Sequence, residues 1–151
     1  MGQQQLLLIV LGIIIVGIAI AVGVTMFQSS AVDTNRQSVI SDMANLAAKA
    51  QRFYRTPTQL GGGAQDFNGF RLGTLDCENA NGSYRVFTAA PDATSDAAPA
   101  DTTSNISVGS AASTIYIYGW GKENGDRDDS TMPVQGYVTV TGNGMTTTIV
   151  N

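Results

Sequence analysis

Hydrophobic and polar positions divide the chain into three stretches of different period. From Leu6 to Val24 no side chain is polar, LLLIVLGIIIVGIAIAVGV, and Thr25, Met26 and Phe27 extend the run. A segment apolar on every face predicts a helix buried on all sides. As a helix it spans about 30 Å, the thickness of a bilayer's hydrocarbon core. Its large side chains, at about 1.5 kcal/mol or more each, put the cost of exposure to water at tens of kcal/mol. That magnitude excludes a free soluble monomer and leaves lipid or other protein as the surroundings. Gly12, Gly17 and Gly23 do not have GxxxG spacing. They predict close packing among many copies, with the helix locally weakened at each glycine.

After Phe27 the period changes but the helix continues, because no proline or glycine occurs before Pro57. Val32, Val39, Met43, Leu46, Ala50 and Phe53 recur at helical spacing, flanked by Ile40, Ala47 and Tyr54. The opposite side carries Asp42, Asn45, Lys49 and Arg52. Lys49, Arg52 and Arg55 suit the negative end of the helix dipole. Thr56-Pro57 ends the helix, since a residue before proline disfavours the α region. One helix is therefore expected from near Gly2 to about Arg55, roughly 80 Å long at 1.5 Å per residue.

The third stretch alternates with period two. Gly61-Gly62-Gly63 opens an irregular segment with Phe67 and Phe70 as anchors. Ser83 to Ala89, Thr114 to Trp120, Gly136 to Thr141 and Met145 to Val150 read as strands, with Asn105 to Val108 a weaker fifth. Gly142-Asn143-Gly144 is a hairpin signal, and Ala90 to Asp101 has the composition of a loop. The expected fold class is α+β: a long N-terminal helix packed on a small C-terminal antiparallel sheet. Residues 1–28 form its apolar half, 29–56 its amphipathic continuation, and 57–151 the β-domain.

Composition narrows the functions. The 151 residues carry a net charge of −4, and only 13% are charged. The cations Arg36, Lys49, Arg52, Arg55, Arg71, Arg85, Lys122 and Arg127 are scattered, so they read as solvated or locally paired, with no groove for nucleic acid. There is no histidine and one cysteine, Cys77, so no intrachain disulfide forms. Asp76 and Glu78 beside it disfavour a thiolate, which argues against a nucleophile. With no nucleophile–base pair, enzymatic activity is not expected, and no cofactor is implied. Asp126, Asp128 and Asp129 are oxygen donors of the kind calcium takes, but they lack EF-hand spacing and enclose Arg127, so a solvated turn is the better reading. Asn81 and Asn105 begin N-x-S triplets, short patterns that permit surface glycosylation. The aromatic residues read as packing elements. No lysine or arginine precedes Arg36. An inserting segment normally carries flanking cations, so a processed chain that has lost a basic leader is expected.

The apolar segment near the start, its amphipathic continuation SVISDMANLAAKAQRFYRTP and the glycine-rich loop before a short β-domain together resemble the type IV pilin family. The likeness is architectural over the whole chain and specific over about its first third. It implies cleavage by a prepilin peptidase, N-methylation of Met1, a membrane-held precursor pool, a pilus assembly machinery, and self-assembly into an extracellular helical homopolymer used in adhesion or motility. The contacts of such a polymer fall on Met1, Gln5, Leu6, Leu7, Ile9, Val10, Ile13, Ile14, Val16 and Ile20. The chain departs from the family at Gln5, where a glutamate is usual; an amide accepts a hydrogen bond but brings no countercharge for a buried amine. Archaeal adhesion filaments share the architecture, so bacterial and archaeal systems both remain open. Two other functions fit the same pattern: a single-span anchored surface or periplasmic binding protein, and a minor pseudopilin of a secretion system.

Overall fold

A computed structural model describes residues 2–90, 107–125 and 133–150. The helix α1 runs unbroken over Gly2–Arg55, 54 residues. Its end is made locally: the Thr56 amide and hydroxyl both donate to the Arg52 carbonyl, at 3.1 and 2.7 Å. Pro57 then offers no amide to continue. A 3-10 turn at Thr58–Leu60 and a single-turn helix α2 at Thr74–Cys77 precede the sheet.

The sheet has four strands, β1 (Gly82–Phe87), β2 (Thr114–Asn124), β3 (Pro133–Thr141) and β4 (Met145–Ile149). They follow one another in the order β1-β2-β3-β4, every pair antiparallel. All four expected strands are present and the α+β architecture is as read. The turn Gly142-Asn143-Gly144 joins β3 to β4, with the Thr141 amide donating to the Gly144 carbonyl at 2.9 Å. Two strands are longer than their sequence suggests. β2 passes Trp120 through a register shift to Asn124, and β3 begins at Pro133. Of the fifth candidate, Asn105 and Ile106 lie outside the described residues. Ser107 makes an isolated bridge with Arg71, and the Val108 amide donates to the Phe70 carbonyl at 2.8 Å.

The amphipathic half of α1 lies over β2 and β3 and barely reaches β4. Val39, Met43, Leu46, Ala47 and Ala50 are buried against Tyr84, Val86, Ile115, Ile117, Val138 and Val140. Val32 is only half-buried, because the sheet ends near it. Gly119 and Gly136 sit opposite one another on β2 and β3, on the face beneath the helix. A Cβ at Gly119 would lie 2.9 Å from Met43 Sδ and 3.0 Å from Val39 Cγ1. The missing side chains let the helix settle close onto the sheet. Phe67 and Phe70 anchor the glycine-rich segment as expected, their rings 4.8 Å from Tyr54 and 5.6 Å from Phe53.

The other face of the sheet is buried too. Tyr118, Trp120, Gln135 and Arg85 are all 5% exposed or less. Tyr118 packs on Trp120 at 4.4 Å and stacks on Tyr137 at 6.1 Å, and its hydroxyl donates to Gln135 Oε1 at 3.1 Å. Of the two readings for the cations, solvated or locally paired, Arg85 departs from the first, because it is buried. Its Nη1 donates to the carbonyls of Cys77 and Tyr84, at 3.0 and 2.6 Å, which offsets part of the cost of burying the charge.

Candidate assembly surface

No described residue outside α1 covers its apolar half. Every residue from Gly2 to Ser30 is exposed. Leu6, Leu7, Ile9, Val10, Ile13, Ile14, Val16 and Ile20 are each between 52% and 68% exposed. These residues point around the whole circumference, so no side is covered. Gly12, Gly17 and Gly23 are open notches: a Cβ at any of them would meet nothing within 4 Å. Phe27, 77% exposed, closes the apolar run. Among the described residues, α1 is the one helix long and apolar enough to cross a membrane.

The polar groups at the edge of this surface are satisfied locally. Thr25 Oγ1 donates to the Val22 carbonyl, Thr34 Oγ1 to Ser30 and Ser38 Oγ to Thr34, each at 2.8–2.9 Å. A hydroxyl turned back onto its own helix needs no outside partner. The first turn holds no acidic residue, and Gln5 is exposed within it. Its opening amides therefore have no carboxylate within their own first turn. Met1 lies outside the described residues.

The other half of α1 is fastened to the head by side chains that the apolar pattern does not reveal. Asp42 Oδ2 accepts hydrogen bonds from Asn79 Nδ2, Asn81 Nδ2 and the Tyr84 hydroxyl, at 2.8, 2.8 and 2.9 Å. Burial pushes this carboxyl up, but the three donors outweigh it and hold the group below its ordinary value of 3.8. Burial and the same carboxylate raise the Tyr84 hydroxyl far above the usual phenol range. Asp42 is thus a bracket between helix and sheet, although helical spacing places it on the polar side. The Asn81 amide nitrogen, the atom a glycan would occupy, is the one bonded to Asp42. Asn35 Nδ2 donates to the Asn81 carbonyl at 2.9 Å. Lys49 pairs with Asp76 at 2.6 Å near the opposite end of the packed half.

Cys77 is buried, and its thiol donates to the Gly73 carbonyl at 3.2 Å. Its pKa is raised, first by burial; Arg85 opposes this and Asp76 adds to it. Burial, not the neighbouring acids, is thus the main reason the thiolate is disfavoured. A shallow groove of about 630 Å³ beside α1 is lined by Asp42, Asn45, Lys49, Arg52, Asp76 and Tyr84. The carboxylates in it are already engaged. Among the described residues no three His, Cys, Asp or Glu side chains stand close enough to hold a metal ion. Asp126, Asp128, Asp129 and Asn105 lie outside the described residues. Comparison of the chain with protein-family models, curated proteins and solved structures finds no match.

Proposed function

We propose that this chain is the structural subunit of an extracellular type IV pilus-like filament, held in a membrane before assembly and polymerised by burying the apolar half of α1 among copies of itself. One observation carries the reading: a helix bare and apolar around its whole circumference continues without a break into a half that is clamped in a folded head. A single partner covers one stripe of such a helix; only lipid or a bundle of neighbours covers all of it. The exposed notches at Gly12, Gly17 and Gly23 suit close approach by neighbours. Gln5 takes the place of the family's glutamate, so the first contact in assembly is an amide hydrogen bond without a countercharge. Cleavage by a prepilin peptidase and methylation of Met1 belong to the same proposal, as do adhesion and motility as the filament's uses.

Electron microscopy of material sheared from the cell surface tests it. Filaments composed of this chain are the expected result, and deletion of Leu6 to Val24 is expected to abolish them while leaving a soluble head. Filaments that persisted without that segment would overturn the mechanism. A chain that remained in the membrane fraction as detergent-soluble monomers would instead be a single-span anchored binding protein.

A further inference from the structure

The two edges of the sheet are finished differently. On β1, the Asn79 amide donates to the Gly82 carbonyl at 3.0 Å, and the Gly82 amide donates to Asn79 Oδ1 at 3.0 Å. The Tyr84 carbonyl accepts from Arg85 at 2.6 Å. The outer edge of β1 is therefore occupied by its own chain over its first half. On β4 the backbone bonds to β3 fall at Thr141 with Gly144 and at Gln135 with Val150. The alternation of an antiparallel ladder then turns Thr146 and Thr148 toward β3. Met145, Thr147 and Ile149 turn their amides and carbonyls outward.

Although short, this edge lacks the chemical protections. Met145–Ile149 reads MTTTI, with no proline and no charge, the devices that normally discourage strand-to-strand pairing. Met145 and Ile149 share the face toward α1, and because the helix barely reaches β4 they remain 46% and 51% exposed.

We infer that β4 is a docking edge for β4 of a second copy of this chain, paired antiparallel about a two-fold axis at Thr147. The strand is self-complementary in that register. Thr147 meets Thr147, Met145 meets Ile149, and Thr146 meets Thr148, so each exposed apolar side chain gains an apolar neighbour and no like charges meet. All three outward residues are of the hydrogen-bonding kind in that pairing, and the two sheets join into one of eight strands, four from each copy. The axis runs perpendicular to the sheet, so it reverses the direction of α1 between the two copies. The two apolar halves then point in opposite directions and cannot enter one parallel array. The contact accordingly joins two assemblies instead of building one. Each pairing is small but holds two copies by itself, and repetition along paired arrays would add to it. The inference does not depend on the filament reading, since anchored monomers in facing membranes present the same edge.

The test uses the full chain in detergent, where α1 is covered by the micelle. Thr147→Cys is expected to form an oxidative cross-linked dimer at least tenfold faster than Thr148→Cys, whose opposite number is Thr146, or Leu75→Cys, which is 89% exposed elsewhere. Cys77 is buried and gives the background rate. Thr147→Lys puts two cations at the axis and is expected to lower the dimer fraction, with partial recovery in high salt, whereas the uncharged wild-type contact is insensitive to salt. Cross-linking of Thr147→Cys no faster than Leu75→Cys overturns the inference. So does protection of Thr147→Cys from a small thiol reagent in the monomer, which would mean another segment of the same chain covers the edge. Loss of filaments on deleting Leu6 to Val24 leaves this result untouched, so the two proposals fail separately.

Discussion

Between Leu6 and Val24, α1 has no neighbour on any side among the described residues; between Val39 and Ala50 the same helix is closed against β2 and β3. The exposed half is the more apolar of the two, the reverse of the usual arrangement in a folded domain. The packed half contains alanines at 47 and 50 and an aspartate at 42, and it is held by fit and hydrogen bonds. The bare half has no fit to its own chain at all. The contrast separates two uses of apolar surface: one consumed in folding the subunit, the other left for what comes after folding.

Four substitutions test that separation, in falling order of effect. Ile14→Asp places a charge near the centre of the bare half, where about 3 kcal/mol per copy opposes insertion into an apolar medium. Sedimentable filaments should vanish while the head's unfolding midpoint stays unchanged; a shifted midpoint would show that the halves are coupled. Met43→Ala acts on the other half. It removes a fully buried side chain seated over Gly119 and Gly136, and chemical denaturation should show a loss of about 2–5 kcal/mol.

Asp42→Ala leaves Asn79, Asn81 and Tyr84 without their acceptor and should cost about 1–3 kcal/mol. Its pH dependence has a fixed sign. A carboxyl lowered on folding contributes its stability above the ordinary value of 3.8 and loses it as pH falls through the lower folded value. The wild type should therefore lose stability on acidification below that value, and the variant should lose less over the same window. Lys49→Ala opens an exposed pair with Asp76 and should cost under about 1 kcal/mol, shrinking further as salt is added.

The helix and the strands were legible because their causes are local. No breaker occurs between Gly23 and Pro57, and strands such as TIYIYGW carry β-branched and aromatic residues in alternation. What the sequence hid depends on distant partners. Asp42 reads as solvent-facing because its three donors lie 37 to 42 positions away, in a turn and a strand. Arg85 reads as solvated because period-two logic cannot show that the second face of the sheet is covered. The start of β3 at Pro133 is obscured by a proline and by Gln135, whose burial follows from Tyr118 across the ladder. Of the candidate assembly surface, apolarity and extent were legible from Leu6 onward, while its lack of cover by any described residue needed the structure.

The paired glycines beneath Met43 set more than a packing distance. From Val32 back to Gly2 the helix is an unsupported rod of about 45 Å. A side chain at Gly119 or Gly136 would act as a wedge under its fulcrum at Met43, about 62 Å from Gly2, and a tilt of about 5° there sweeps the far tip through about 5 Å, a full helical turn. Two absent side chains in the head therefore aim the opposite end of the molecule, a bare tip that no other described part of the chain steadies.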